Sequence, residues 1–217
     1  MNLTNKKMLF LGDSITEGVG TSSIEKVYWK RLEADGAIVK GYGISGTRIA
    51  RQQNPTADHP EWDNYFRNRV PEMDDEADVV VVFGGTNDYG HGDAALGCFS
   101  DRSDDTFYGG LHNLYADLMN KYPKAQIVVM TPCHRLNENN YYNGCGIRTV
   151  GNLKKYVDII KEVAAYYSIA VLDLYALSGL QPDIEVNRNL YMPDGVHPSD
   201  AGHEKIYNLL KGFLKNL

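Results

Sequence analysis

The sequence predicts an α/β protein with one parallel β-sheet covered by helices on both faces. Five short apolar segments alternate with helical patterns, which is typical of βαβ units. The segment "DVVVVF", Asp78–Phe83, is a continuous β-branched run of the kind found in strands buried on both faces. No linker, repeat or low-complexity tract divides the 217 residues, so we expect a single domain over residues 1–217.

The first half of the chain predicts three strands and one helix. Met8–Leu11 is an apolar run that predicts the first strand. Val27–Asp35 predicts a helix that ends near Gly36, because glycine commonly terminates helices. Ile38–Tyr42 then predicts the second strand, and the β-branched run Asp78–Phe83 predicts the third.

The second half predicts three helices and two strands. Thr106–Lys121 predicts a helix because its leucines recur on one stripe. Gln126–Thr131 predicts the fourth strand, which the following proline ends. Thr149–Tyr167 predicts a long helix, and Ala170–Leu174 predicts the fifth strand. Asp200–Leu214 predicts a closing helix, for which the preceding serine is a suitable N-cap.

Composition and charge disfavour several classes of function. The net charge is −6 and no Lys/Arg run is longer than a pair, which argues against nucleic acid or an anionic membrane as the main partner. No apolar run reaches the length of a membrane span. The apolar run after Lys6 and Lys7 is too short for a secretory signal. We therefore expect a cytoplasmic protein, unless a signal sequence has been removed.

The three cysteines and two long connections are further features of the chain. Cys98, Cys133 and Cys145 are odd in number and widely spaced, which fits neither a disulfide framework nor a zinc site. We interpret them as reduced thiols, with a transient Cys133–Cys145 bridge as the alternative. The connections over residues 89–105 and 132–148 are candidate functional loops, because long loops in compact domains often carry function.

Ser14 is the candidate nucleophile. It follows the first predicted strand in "MLFLGDSITEG", and sites in open α/β sheets form beyond the carboxyl ends of the strands. At the start of a helix, backbone N–H groups would stabilise a developing negative charge beside its hydroxyl. The hydroxyl needs a base from elsewhere in the chain. Gly-Asp-Ser alone also fits a turn with a helix cap, and Thr16 replaces the second glycine of a G-x-S-x-G elbow.

Asp194 and His197 are the candidate base and its partner. They lie three residues apart in "YMPDGVHPSDAGH", so both side chains can face the same way. The carboxylate would then fix the imidazole tautomer and leave the other nitrogen to accept a serine proton. An Asp-Gly turn with an exposed histidine is the alternative. His134, at the end of the fourth strand, is the rival base, and the first carboxylate after it is Glu138.

The other four histidines fit a catalytic role less well. We expect surface positions in polar loops for His59 and His91, and ordinary packing or solvation on helices for His112 and His203.

Two further strand ends offer hydrogen-bond donors to an oxyanion. Gly46, in "GISGT", follows the second strand, where a glycine lets a backbone N–H approach a ligand closely. Asn87, in "GGTND", follows the third strand, and its side-chain amide can polarise a carbonyl oxygen. A turn glycine and an Asx-turn are the respective alternatives. The occurrence of all these groups after predicted strands favours one shared site.

Four of these segments resemble blocks of the SGNH, or GDSL, hydrolase family. "FLGDSITEG" is similar to the first block, "GISGTRI" to the second, "VVFGGTND" to the third and "DGVHPSDAGH" to the last, catalytic block. The segments extend from Phe10 to His203, so the resemblance covers nearly the whole chain. It implies a three-layer α/β/α sandwich with a five-stranded parallel sheet, a flavodoxin-like arrangement.

The resemblance also implies the role of each candidate residue. Ser14 would be the nucleophile and a backbone donor to the oxyanion. Gly46 would give a second backbone donor, and Asn87 the side-chain donor. His197 would be the base and Asp194 its partner. No metal or organic cofactor is implied.

The chain departs from the family at one place. Members often have an asparagine two or three residues before the glycine of the second block, where this chain has Gly43 and Ile44. This leaves open what supports the loop that carries the glycine donor. We interpret Asp13 and Asp88, which flank site residues, as structural groups that orient the loops by hydrogen bonds.

The expected reaction is hydrolysis of a small-molecule ester through an acyl-enzyme. The first choice is a short acyl group, such as acetyl, on a carbohydrate or similar polar alcohol, because aromatic residues of the predicted loops can stack on sugars. These residues are Tyr89, Phe99, Tyr108, Tyr141, Tyr142 and Tyr191. No Leu/Met/Phe-rich stripe is expected at the surface, which disfavours a lipase.

Other functions stay open at this point. A lysophospholipid or thioester substrate and a non-catalytic ligand-binding module are the alternatives. Arg135 is expected to bind a substrate carboxylate or phosphate, or to form a surface salt bridge. The sequence does not fix an oligomeric state.

Overall fold

The structure is a computed structural model that describes residues 1–140 and 151–217. Within them, five parallel strands form one sheet: β1 Lys7–Gly12, β2 Ile38–Gly43, β3 Val79–Phe83, β4 Gln126–Met130 and β5 Ala170–Leu172. Their order across the sheet is β2-β1-β3-β4-β5. All carboxyl ends therefore lie at one edge, and the strand order changes direction beside β1, where ligand sites form in such sheets.

Helices connect and cover the strands. The α-helices of the described residues are α1 Ser14–Glu17, α2 Phe66–Arg69, α3 Thr86–His91, α4 Phe107–Lys121, α5 Leu153–Tyr166, α6 Leu174–Leu177, α7 Glu185–Tyr191 and α8 Asp200–Lys215. The three long ones match the helices predicted from sequence. As predicted, the serine at position 199 caps α8, accepting the N–H of Gly202. No helix in this part of the chain is both long and apolar enough to cross a bilayer.

Two apolar cores lie on opposite faces of the sheet. Leu9 and Leu11 of β1 contribute to the core beneath α4 and α5, whereas Met8 and Phe10 contribute to the core beneath α8. This alternation follows from the two-residue period of a strand. Both faces are apolar, which explains why the strands read as continuous hydrophobic runs. The predicted three-layer α/β/α sandwich is therefore confirmed.

The helix predicted over Val27–Asp35 is wrong. A 3₁₀-helix covers only Lys30–Asp35. The backbone N–H of Tyr28 donates to Nδ1 of His203 at 3.2 Å, and the indole N–H of Trp29 donates to a carbonyl of α1 at 2.8 Å. These long-range hydrogen bonds fix the segment against α8 and α1 at the expense of a regular helical ladder.

The fifth strand is shorter than the predicted Ala170–Leu174. It ends at Leu172, because Asp173 caps the next helix and accepts the N–H of Ala176 at 3.2 Å. The hydroxyl of Thr131 also donates to this carboxylate, at 3.0 Å. Cap formation competes with continuation of the strand, and apolar periodicity does not reveal it.

The buried imidazole of His203 predicts a pH-dependent stability. Burial lowers the pKa of His203 to about 4 from the ordinary value of 6.5. The unfolded chain therefore binds more protons below pH 6.5. The stability contributed by the neutral imidazole is fully present above pH 6.5 and is lost as the pH falls towards 4, by up to about 3 kcal/mol.

His203→Asn tests this expectation, since asparagine keeps an acceptor for Tyr28 and does not titrate. We expect urea unfolding to show a smaller loss of stability for the variant than for the parent between about pH 6.5 and pH 4.5. Parallel stability curves over that range would contradict the assignment.

Candidate active site

Ser14 begins α1 directly after the buried strand β1. Asp13 caps this helix, and its carboxylate accepts the N–H of Ile15 at 3.0 Å. The turn is tight, because a Cβ at Gly12 would collide with the side chain of Thr16. Ser14 is only 5% exposed, so the turn holds its hydroxyl in a sheltered position at the carboxyl edge of the sheet.

A chain of hydrogen bonds joins Ser14 to the C-terminal part of the sequence. Nε2 of His197 lies 2.9 Å from Oγ of Ser14, and Nδ1 of the same ring lies 2.6 Å from Oδ2 of Asp194. The structure therefore brings these three predicted residues together. In this arrangement a carboxylate can orient an imidazole towards a serine hydroxyl.

The loop between Asp194 and His197 keeps the carboxylate charged and in place. Burial acts to raise the pKa of Asp194, but hydrogen bonds from the His197 backbone, the imidazole and the Val196 N–H outweigh it, and the pKa is lowered. Gly195 has a φ of +81°, and a Cβ there would collide with Leu136. Leu136 also donates its N–H to the Gly195 carbonyl at 2.8 Å, which anchors the loop on the segment after β4.

The Gly46 turn is held from two sides. Gly46 has a φ of +73°, and a Cβ there would collide with the indole ring of Trp62. The missing side chain of Gly46, which was predicted to let a ligand approach, therefore also makes room for the indole ring of Trp62. Ser45 donates its N–H to the carboxylate of Glu17 at 2.7 Å, and its hydroxyl donates to the same group. These contacts support a turn that lacks the asparagine common in the resembling family.

Asn87 lies in the first turn of α3, beside the Gly46 turn. Its Nδ2 donates one hydrogen to the Thr47 carbonyl at 3.0 Å, which leaves the second amide hydrogen available. Within residues 1–140 and 151–217, the backbone N–H groups of Ser14 and Gly46 meet no protein acceptor. The three predicted donors thus each carry an N–H that can serve an oxyanion.

The two carboxylates beside these groups bind backbone. Asp88 accepts the N–H groups of Ile49 and Ala50 at 3.0 and 2.9 Å, and Asp13 accepts that of Ile15. Burial raises the pKa of each carboxyl to about 6. Their contacts agree with the loop-orienting role interpreted from the sequence.

Sequence reasoning missed Arg69. This residue ends α2 and is 2% exposed. Its Nη1 donates to the carbonyls of Gly12 and Tyr42 at 2.9 and 2.7 Å, and its Nη2 donates to Oγ1 of Thr47 at 3.0 Å. The partners are remote in sequence, and the local stretch "FRNRV" gives no signal that separates buried Arg69 from the partly exposed Arg67.

The rival base does not contact a nucleophile in the described part of the chain. Nδ1 of His134 lies 2.9 Å from the carboxylate of Glu138, and its ring lies against that of Tyr175, with centroids 3.8 Å apart. His91 is half-buried, so the surface position expected for it is wrong. Its Nδ1 lies 3.0 Å from Nη1 of Arg48, and burial lowers its pKa to about 4. The packing expected for the helical histidines is observed at His112 and His203.

Arg135 lies against α3. Its guanidinium donates to the Thr86 carbonyl at 2.9 Å and lies 5.6 Å from the ring centroid of Tyr89. Anion binding by Arg135 stays a prediction. Tyr89 itself is 2% exposed, so it is a core residue and not a ring at the rim.

Part of the second long connection lies outside the described residues. This applies to Tyr141, Tyr142 and Cys145, so the alternative Cys133–Cys145 bridge stays untested. Cys133 is buried and Cys98 is exposed.

Comparisons with known proteins show which family and which solved structures the chain is similar to. Residues 10–205 match the GDSL-like lipase/acylhydrolase family. A solved protein from Lactobacillus plantarum is 29% identical, with a TM-score of 0.82 and 98% of both chains covered. A lipase/acylhydrolase from Enterococcus faecalis is 20% identical (TM-score 0.64, 97% of this chain and 96% of that chain), and an acetyl xylan esterase is 22% identical (TM-score 0.62, 95% and 98%). These last two show a shared fold. No curated protein is similar enough in sequence to match.

The contact between Gly46 and Trp62 predicts the effect of a single methyl group. Gly46→Ala forces an L-residue into left-handed backbone and against the indole ring, so we expect a loss of at least about 1–2 kcal/mol in the free energy of unfolding. Thermal and urea unfolding measure it. Gly212→Ala is the matched control, because a Cβ there meets nothing within 4 Å. Gly212 lies in the last turn of α8, where the change should stabilise by at most about 0.5–1 kcal/mol. Equal effects of the two changes would contradict this view.

Proposed function

The chain belongs to the GDSL-like lipase/acylhydrolase family, and from this premise we propose that it is a serine esterase with Ser14 as its nucleophile. The observation that carries the proposal is the hydrogen-bonded series Ser14–His197–Asp194, with distances of 2.9 and 2.6 Å. A hydroxyl next to an oriented imidazole is the arrangement that serine nucleophiles require.

The reaction proceeds in two halves. Oγ of Ser14 attacks the ester carbonyl carbon while Nε2 of His197 takes the hydroxyl proton. The tetrahedral intermediate then collapses, the C–O bond to the alcohol breaks, and the imidazolium returns its proton to the departing oxygen. In the second half, His197 takes a proton from water, the resulting hydroxide attacks the acyl-enzyme, and Ser14 leaves with the proton. Asp194 holds the ring and stabilises its charged form throughout.

The negative charge of the intermediate falls on the former carbonyl oxygen. The backbone N–H groups of Ser14 and Gly46 and the second amide hydrogen of Asn87 donate to this oxygen. Donors that are fixed before the reaction cost no reorganisation during it, which makes such sites effective. The bond between Asn87 and the Thr47 carbonyl supports this role, because it fixes the amide in one orientation.

The proposed substrate is a short acyl ester, such as an acetyl ester, of a carbohydrate or similar polar alcohol. A cavity of about 360 Å³ adjoins the Gly46 turn through Trp62, and its other walls include Arg48, Gln52, Asn54 and Thr56. The indole of Trp62 offers a flat face on which a sugar ring can stack, and the polar side chains beside it can bind hydroxyl groups. The fold shared with an acetyl xylan esterase is compatible with this choice.

A lysophospholipid or other long-chain ester is the second candidate. Several large apolar side chains are more than half exposed, among them Leu177, Ile184, Val186 and Leu190. The last two lie on α7, which leads into the loop of Asp194. Apolar surface next to a reactive loop favours contact with a lipid chain.

Removal of the nucleophile tests the proposed function. We expect Ser14→Ala to lower kcat on p-nitrophenyl acetate by about 10⁴-fold or more, because the remaining groups cannot form the acyl-enzyme. A serine-reactive phosphonate should label the parent protein at Ser14, as peptide mass spectrometry would show. Ser23→Ala, which alters an exposed serine whose side chain makes no cap hydrogen bond, should keep parental activity. Labelling at another residue, or an active Ser14→Ala protein, would contradict the assignment.

Acyl chain length distinguishes the two substrate classes. We expect kcat/KM on p-nitrophenyl esters to be highest for acetate or propionate and to fall by about tenfold or more at octanoate, because we assign the cavity beside the Gly46 turn to the alcohol, so that added methylenes of the acyl chain gain no contact there. The series from acetate to octanoate measures this directly. A maximum at octanoate would favour the long-chain candidate, and no turnover of any ester would favour a non-catalytic binding module.

A further inference from the structure

Arg69 is a buried cation between the ends of two strands. Its side chain is 2% exposed, although arginine is rarely buried to this degree without an ion pair. Its hydrogen-bond partners among the described residues are neutral: the carbonyls of Gly12 and Tyr42 and the hydroxyl of Thr47. Burial lowers its pKa to about 10, which leaves the guanidinium protonated at neutral pH. The buried, charged guanidinium therefore cross-links the backbone of two strands by hydrogen bonds.

Each partner of Arg69 leads to a group of the proposed active site. Gly12 ends β1 and lies two residues before Ser14, and Tyr42 lies near the end of β2. Thr47 follows the donor glycine of the second turn. The guanidinium therefore fixes the positions at which the chain leaves β1 and β2 for the nucleophile and for the turn.

Thr47 extends this connection to the third donor. Its hydroxyl accepts from Arg69 and donates to the Ile44 carbonyl at 2.7 Å. Its own carbonyl accepts the Asn87 amide at 3.0 Å. A continuous path of hydrogen bonds therefore runs from the guanidinium through one threonine to the side-chain donor.

The guanidinium also rests on an aromatic ring that packs at the end of β3. The guanidinium carbon of Arg69 lies 4.7 Å from the ring centroid of Phe66. The same ring fills the space where Gly84 has no side chain. The ends of three adjacent strands are thereby tied to one residue of α2.

We propose that Arg69 is a positioning residue whose guanidinium fork sets the spacing between the Ser14 nucleophile, the Gly46 turn and Asn87. This inference rests on the proposed esterase function and adds a residue to it. Arginine is required because its planar fork presents several N–H groups in fixed directions, whereas the lysine ammonium is a point charge on a flexible stem. A displacement of the donors by about 1 Å is enough to slow a reaction by about 100-fold.

Arg69→Lys tests the inference, since it keeps the charge and loses the fork. We expect kcat on p-nitrophenyl acetate to fall by about 10- to 100-fold while KM changes by less than about threefold, because the defect lies in the transition state. The rate of phosphonate labelling at Ser14 should fall in parallel, since the tetrahedral adduct uses the same donors. Kinetics are measured below the unfolding transition of each protein, as followed by circular dichroism.

Arg67→Lys is the matched control on the same helix. Arg67 is partly exposed and pairs with Asp104 and Asp117. Its replacement is expected to shift the unfolding temperature and to leave kcat within about twofold of the parent. A folded Arg69→Lys protein with parental kcat would overturn the inference, and so would an equal loss of kcat in Arg67→Lys.

Thr47→Val keeps the inference falsifiable if Arg69→Lys does not fold. It removes the hydroxyl that receives the guanidinium N–H, and we expect kcat to fall by about tenfold at similar KM. Parental kcat in this variant would overturn the inference. Where both variants fold, the fold-loss of kcat in the double variant should be smaller than the product of the two single fold-losses, because both changes remove the same hydrogen bond between Arg69 and Thr47. If Ser14→Ala were as active as the parent, the proposed function itself would fail, and that result is distinct from these.

Discussion

The hydrogen bond between Ser14 and His197 joins residues 183 positions apart, and the proposed chemistry depends on it. The sheet fixes one side, because β1 is interior and its end cannot move without disturbing both neighbouring strands. The start of α8 fixes the other side. Asp200 accepts the backbone N–H and the hydroxyl of Ser22, at 2.8 and 2.6 Å. A Cβ at Gly20 would collide with the Pro198 carbonyl. The bond is thus held by the segments that flank each partner.

The fold could be predicted from sequence where burial alone decides the structure. A strand such as β3 is buried on both faces, so its residues are apolar throughout and its identity is local information. The helix prediction for Val27–Asp35 was wrong because the backbone of this segment forms hydrogen bonds with remote partners, among them His203. The 3.6-residue period cannot report such bonds. The same limit explains the early end of β5, where Asp173 exchanges ladder bonds for a helix cap.

The residues of the candidate site also fall into those that local motifs reveal and those that only long-range contacts reveal. The short motifs around Ser14, Asn87 and His197 carry recognisable residue types in order, so sequence reasoning could name them, and the geometry brings them together. Arg69 could not be found this way. Its three acceptors lie 57, 27 and 22 residues away, and two of them are backbone carbonyls, which every residue type supplies. Sequence reasoning also missed Trp62, because its contact with the Gly46 turn joins residues that are distant in the sequence.

The environment assigns different roles to three carboxylates near the nucleophile. Burial raises the pKa of Asp13 and Asp88 to about 6, and the hydrogen bonds of their carboxylates among the described residues come from backbone N–H groups and not from an imidazole. Asp194 is more exposed, and its hydrogen bonds with Val196 and His197 lower its pKa. It alone of the three remains ionised well below neutral pH and bonded to an imidazole. Partial exposure with local hydrogen bonds, and not depth of burial, therefore determines which carboxylate can stabilise a charged His197.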